Sequence, residues 1–193
     1  MGSAMRIISG KHKGRRIEAG KTGNGIRPTS GFARQAIFNI LEHSRFGGDA
    51  HPFRDRRVAD LFCGSGAFGL EALSRGAAHA AFVDKSAASL AATQQNAERF
   101  GENARASFIR CDATSLPPAP GPYALVFLDP PYGKGLAAPA LASLLRGNWL
   151  EPGGLVIVER EAQEKLIPPP GLTLADSRRY GRAAVDWLIF SPN

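Results

Sequence analysis

Several things are scarce in this 193-residue chain, and each scarcity closes off a class of function. There are only two cysteines, Cys63 and Cys111, too few for a disulfide-stapled secreted scaffold. The four histidines, His12, His43, His51 and His79, fall at no spacing that suits metal ligands, with each other or with the cysteines, and no metal is expected. No apolar run approaches the ~20 residues of a membrane span, and no signal-peptide pattern opens the chain. A cytoplasmic protein with no membrane partner is the expectation. Residues 1–4, "MGSA" ahead of Met5, read as a cloning remnant and are set aside. With 44% hydrophobic residues, 21% charged residues and a mean hydropathy of −0.16, the remainder reads as one globular domain.

Acid is scarce in one place only. Up to residue 57 there are twelve Lys and Arg against four Asp and Glu, a net of +8, so the rest of the chain carries −1 of the total +7. The excess positive charge therefore belongs to the first third. That bias suits either a solvated basic face or a polyanion-binding surface.

The order of local patterns divides the chain. Residues 5–19, "MRIISGKHKGRRIEA", place two short runs around a Gly/Lys break and predict a basic β-hairpin. After the loop "KTGNGIRPTSG", with Thr29 or Ser30 as N-cap, Ala33, Ile37, Ile40 and Leu41 form the stripe of an amphipathic helix. A second loop, "FGGDAHPFRDRR", separates this 5–56 segment from a main domain over 57–193. Strand then alternates with helix from "RVADLF" through "GGLVIVERE", the pattern of a parallel sheet covered on both faces. The chain closes on "TLADSRRYGRAAVDWLIF", two strand-like runs around Tyr180-Gly181, which predicts an antiparallel hairpin.

Two motifs carry chemistry. "DLFCGSGAFG", Asp60 to Gly69, joins the first strand to the first helix, and Gly64, Gly66 and Gly69 satisfy G-x-G-x-x-G. Asp84 ends the second strand 18 residues after Gly66, where an acid can accept from ribose hydroxyls. The bland readings are a tight turn and a helix cap, and the same features would also suit a nicotinamide cofactor. Asp112, in "RCDA" after the third strand, either accepts from an adenine amino group or caps the short turn that follows. Both cysteines read as small packing residues.

The second motif is "FLDPPY". Asp129 closes the fourth strand at the sheet edge where open α/β folds bind ligands. Pro130 and Pro131 cost backbone hydrogen bonds and lock an extended, rigid path, a poor bargain for folding alone. Glycine loop, Asp84, Asp112 and D-P-P-Y in this order resemble the class I S-adenosylmethionine-dependent methyltransferases with a Rossmann-like, mostly parallel seven-stranded sheet. "MRIISGKHKGRRI", "RPTS", "FNIL", "DLFCGSGAFGLEALSRGA", "FVDK", "FLDPPY" and "YG" narrow the likeness to the bacterial 16S rRNA guanine-N2 methyltransferases of the RsmD family.

The resemblance implies a catalytic set of Asp129, Pro130, Pro131 and Tyr132. The Asp129 carboxylate and the Pro130 carbonyl would each accept an N–H of the guanine amino group, while Tyr132 stacks on the base. It implies that S-adenosylmethionine, leaving as S-adenosylhomocysteine, lies against Asp60, Phe62, Gly64, Ser65 and Gly66, with Asp84, Lys85, Asp112, Ala113 and Asp129 completing its site. Lys11, Lys13, Arg15, Arg16 and Arg27 would hold 16S rRNA, naked or within the small ribosomal subunit, and the protein would act as a monomer. Competing expectations are a DNA adenine-N6 methyltransferase with the same D-P-P-Y chemistry and a non-catalytic RNA-binding assembly protein. A dehydrogenase would leave D-P-P-Y unexplained.

Overall fold

The computed structural model describes residues 5–18, 31–43, 46 and 51–192. Seven strands form one sheet in the order β3-β2-β1-β4-β5-β7-β6. β1 (Arg57–Leu61), β2 (His79–Asp84), β3 (Ala106–Arg110), β4 (Tyr123–Leu128) and β5 (Leu150–Glu161) pair in parallel with their neighbours among these five. β6 (Leu172–Tyr180) and β7 (Ala183–Phe190) form the antiparallel C-terminal hairpin, and β7 inserts between β5 and β6. The mostly parallel sheet and terminal hairpin are those the sequence predicts.

The three strands β1, β2 and β4 read mostly apolar because both their faces are covered. On one face, α1 (Gly31–His43), α2 (Ala67–Ser74) and α3 (Ala87–Phe100) bury Val58, Phe82, Leu125, Phe127 and Ile157. On the other, α4 (Ala137–Arg146) packs with Trp149 over Leu61, Val126, Leu128 and Val156. Successive strand residues serve opposite faces, as the two-residue period requires.

Helix boundaries follow local chemistry. Ser86 caps α3 by accepting from the Ser89 N–H at 3.2 Å, and Gly101 ends it with φ +72°. β5 begins at Leu150, three residues earlier than the "GGLVIVERE" run suggests. Leu150 pairs with Tyr123, and a register shift before Leu125 absorbs the intervening Pro152-Gly153. In α1 the expected stripe is buried or half-buried, and Phe38 joins it, stacked 4.7 Å from Phe68. The predicted caps Thr29 and Ser30 lie outside the described residues.

The N-terminal hairpin is short, with one antiparallel bridge between Arg6 and Arg16. It does not stand off from the domain: Ile7 and Ile17 are buried in the same cluster as Phe68 and Leu70. Gly10, at φ +79°, presses so closely on α2 that a Cβ there would sit 1.9 Å from the Ser74 carbonyl oxygen. Glu71 of α2, fully buried, accepts the N–H groups of Ile8 at 2.7 Å and Ser9 at 3.0 Å and pairs with Arg75 Nε at 2.7 Å. Buried Arg34 of α1 stands 3.9 Å from the same carboxylate and donates to the Arg6 carbonyl at 2.5 Å. At the far side His12 meets Glu102 at 2.5 Å, behind α3. No helix among the described residues is long and apolar enough to cross a membrane.

Candidate functional site

The chain runs from β1 outward to β2 and β3, then returns to place β4 on the other side of β1. Between β1 and β4 the strand order therefore reverses, and the carboxyl edge at such a point opens a crevice. The loop after β1 and the Asp129 segment after β4 face each other across it.

The loop is held from beneath. Phe62 adopts φ +58° and Gly64 φ +55°, turning the chain back sharply after the strand. The Gly64 N–H donates to Asp84 Oδ2 at 3.1 Å, and Ser86 N–H donates to the other Asp84 oxygen at 2.8 Å. Thr93 of α3 donates to the Gly64 carbonyl at 2.9 Å, while Asn96 donates to Ser65 O at 3.2 Å. A Cβ on Gly66 would lie 2.5 Å from Thr93 Cγ2, and one on Gly69 2.3 Å from the Phe82 ring. These two glycines let helix and sheet close together. A Cβ on Gly64 would meet nothing nearer than 4.0 Å, so this glycine leaves open space at the crevice. Glycines two and three serve packing, and the first leaves room for a ligand.

The acids of the edge divide by exposure. Asp60 is 3% exposed and accepts the Gly69 N–H at 3.0 Å, so it lies under the loop and secures the first turn of α2. Burial first, and then the charges of Asp129 and Asp84, push its pKa up to about 8. Asp84 is half-buried and ties loop to strand. Asp112 is exposed and accepts both the N–H and hydroxyl of Thr114, at 2.9 and 2.7 Å, capping the turn Ala113–Ser115. Those hydrogen bonds hold its pKa below the ordinary value. Lys85 is exposed beside it, and Ala113 is buried at its back.

A raised Asp60 pKa has a stability consequence with a definite sign. The folded state keeps its proton between the unfolded pKa near 3.8 and about 8, so this residue makes the fold progressively less stable as pH climbs through that window. Asp60→Asn, which mimics the protonated group, is expected to lose that slope. Melting temperatures of both proteins from pH 4 to pH 9 give the check: parallel profiles would show that Asp60 contributes none of it.

Past β4, Asp129 is half-buried, Pro130 buried, and Pro131 and Tyr132 exposed. Tyr132 is 42% exposed, while its hydroxyl donates to Glu159 Oε1 at 2.9 Å. Burial, Glu159 and Asp129 all raise the phenol pKa, so Tyr132 is neutral and works as a ring and a donor. The loop, Asp84 and the Asp129–Tyr132 segment thus share one edge, as the motifs imply.

Of the proposed basic residues, Lys11, Lys13, Arg15 and Arg16 are all exposed on the N-terminal hairpin. Arg15 also lies 4.5 Å over the Phe100 ring and bonds the Arg99 carbonyl. Arg27 lies outside the described residues.

Sequence reasoning missed Glu159 and Glu71. Glu159 carries a readable signal, since "LVIVERE", like "LVFLD", is an apolar strand ending in acid at the carboxyl edge. Glu71 carries none, being a single acid within "GLEALS" whose partners come from distant segments. Cys63 is buried and Cys111 half-buried, both free; burial raises both thiol pKa values, which keeps them protonated. Among the described residues no cluster of His, Cys, Asp and Glu could hold a metal ion.

Comparison with known proteins adds an independent line. The family model described as "Conserved hypothetical protein 95" matches residues 5–189. "Ribosomal RNA small subunit methyltransferase D" of Escherichia coli K12 is 34% identical over 168 residues, covering 86% of this chain and 79% of that protein. The protein of the same name from Haemophilus influenzae is 30% identical over 188 residues, covering 92% and 89%. Among solved structures, "Putative methyltransferase yhhF from Escherichia coli" superposes with a TM-score of 0.81 at 28% identity, across 99% of this chain and all of that one.

Proposed function

The chain belongs to the family described as Conserved hypothetical protein 95, and from that premise we propose that it transfers a methyl group from S-adenosylmethionine to the exocyclic N2 amino group of a guanine in small-subunit rRNA. The observation that carries the reading is the pairing, at the sheet's switch point, of a glycine loop open at Gly64 with Asp129 and a half-exposed aromatic ring at Tyr132. The residues at the loop fit the cofactor. Gly64 leaves space, Phe62, Ser65 and Gly66 shape the turn, and Asp84, Lys85, Asp112 and Ala113 flank it on the β2 and β3 side. When bound, S-adenosylmethionine supplies an electrophilic methyl group on a sulfonium sulfur.

The residues of the chain supply positioning. A guanine amino nitrogen is a poor nucleophile because its lone pair is delocalised into the ring. The Asp129 carboxylate and the Pro130 carbonyl each accept one of its N–H groups, drawing the nitrogen toward a tetrahedral form. Pro131 fixes the direction of that carbonyl, because the paired rings permit only an extended path. Tyr132 offers its ring face to the base and is kept in place by its hydroxyl. Much of the rate gain then comes from orientation. A base in a duplex would not reach this edge, so the acceptor guanine is single-stranded or flipped out.

In this division of labour residues 57–193 hold cofactor and base, while the 5–56 segment faces RNA through Lys11, Lys13, Arg15 and Arg16, with Arg27 assigned by resemblance. The protein is proposed to act as a monomer. Replacing Lys11, Lys13 and Arg16 together by glutamine is expected to weaken RNA binding and flatten log K against log salt by about 0.7–0.9 per lost phosphate contact. Filter binding from low to high salt measures the slope, and an unaltered slope removes the hairpin from the interface.

The function itself is tested by incubating the protein with labelled S-adenosylmethionine and undermethylated small subunits, naked rRNA or duplex DNA. Digestion to nucleosides then identifies the product. Recovery of N2-methylguanosine from rRNA is the expected result. Label in duplex DNA alone would move the reading to an adenine-N6 enzyme, and bound cofactor without transfer to a binding protein.

A further inference from the structure

Glu159 is 4% exposed, an acid buried in β5 one residue past its last pairing with β4. Leu128 of β4 pairs with Val158 of β5, so the next residues along the two parallel strands, Asp129 and Glu159, are neighbours. They also face the same side. Leu128 and Val158 belong to the α4 face, so alternation turns the residues after them toward the face of α1 and α2. The electrostatics agree: Asp129 acts on Asp60, which lies on that face, and both Asp129 and Glu159 act on the Tyr132 phenol. Two carboxylates thus stand side by side at this edge, with Tyr132 tethered to the second at 2.9 Å.

We propose that Glu159 is the residue that selects guanine, accepting the ring N1–H while Asp129 accepts from the N2 amino group. A carboxylate offers about four lone-pair sites, so Glu159 can hold the Tyr132 hydroxyl and a ring N–H together. Guanine presents donors at both N1 and N2 along this edge. Adenine and 2-aminopurine present a lone pair at N1, which would point at the Glu159 carboxylate and be repelled by it. Such a mismatch discriminates far more strongly than a difference in shape. This assignment rests on the guanine-N2 reading above and deepens it. It also accounts for an acid kept buried where the strand could have carried an apolar residue.

The probe is 2-aminopurine, which keeps the amino group at C2 and lacks the N1 hydrogen. Acceptor RNAs carrying guanine or 2-aminopurine at the modified position are compared by kcat/KM. The unchanged protein is expected to favour guanine by about 10- to 100-fold, the size of one unpaired buried polar group. In Glu159→Gln the carboxamide can turn an N–H toward N1, and that preference should shrink severalfold or vanish. Tyr132→Phe removes the tether alone, so it should lower kcat and keep the preference. Affinity for S-adenosylmethionine, measured separately, shows that each variant is folded.

Equal use of both bases by the unchanged protein would overturn the assignment without any variant. So would a Glu159→Gln protein that slows on both acceptors by the same factor, since that is what a structural role gives. No transfer to guanine by the unchanged protein is a different failure. It would sink the guanine reading, and this assignment with it.

Discussion

Asp129→Ala is expected to lower kcat for methyl transfer by about 10²- to 10⁴-fold, the usual worth of a positioned proton acceptor. The loss should fall mainly on kcat, because the carboxylate acts on the amino group as it becomes tetrahedral and contributes less to binding the base. Cofactor affinity should change much less, since the loop is shaped by Asp84, Thr93 and Asn96 independently of Asp129. Asp129→Asn separates charge from geometry. It keeps one acceptor oxygen and the side-chain shape, so it should retain more activity than alanine. Initial rates with labelled cofactor, together with equilibrium dialysis for binding, provide both numbers. Full methyl transfer by the alanine protein would falsify the mechanism outright.

The largest stability effect is expected at Glu71. Its carboxylate is fully buried and satisfies two backbone N–H groups of the N-terminal hairpin as well as Arg75, with Arg34 nearby. Glu71→Leu leaves those donors unpaired and two buried guanidinium groups, 2% and 8% exposed by residue, without their shared anion. Breaking a buried pair in this way costs about 3–5 kcal/mol. Arg34 already bears a pKa lowered by burial, so it is poorly placed to lose its compensating charge. Glu42, which pairs with Arg75 at 3.0 Å but is partly exposed, is the control, and Glu42→Ala should cost about 1 kcal/mol or less. Denaturant midpoints for the two variants decide the matter. Equal midpoints would mean that the buried carboxylate is no more than a surface pair in its effect.

The sheet was legible because its strands are short apolar runs separated by capped helices, and the caps Ser86 and Gly101 act as their residue types suggest. The candidate edge was legible because Gly64, Asp84 and Asp129 each sit at or just past a strand end, where sequence order and spatial order agree. Glu71 was not legible, because its value comes from Ile8, Ser9 and Arg34, tens of residues away in the chain. The charge of the hairpin was plain, but its anchorage was not. Nothing in "SGKHKG" announces that Gly10 must press against Ser74 or that His12 will be buried against Glu102. Asp60 shows a subtler limit. A motif places it at the site, and only packing reveals that it works from underneath.

The C-terminal hairpin has one more consequence. β6 is the outer strand of the sheet, and an outer strand leaves a row of unpaired peptide groups that another chain could extend. Here its pairing with β7 slips between Leu174 and Asp176, and exposed Arg178 and Arg179 follow. The irregularity disturbs the ladder, and Arg179 adds positive charge beside the Arg178–Asp176 pair. A second molecule approaching edge to edge would meet a broken ladder, so this border is a poor template for extending the sheet.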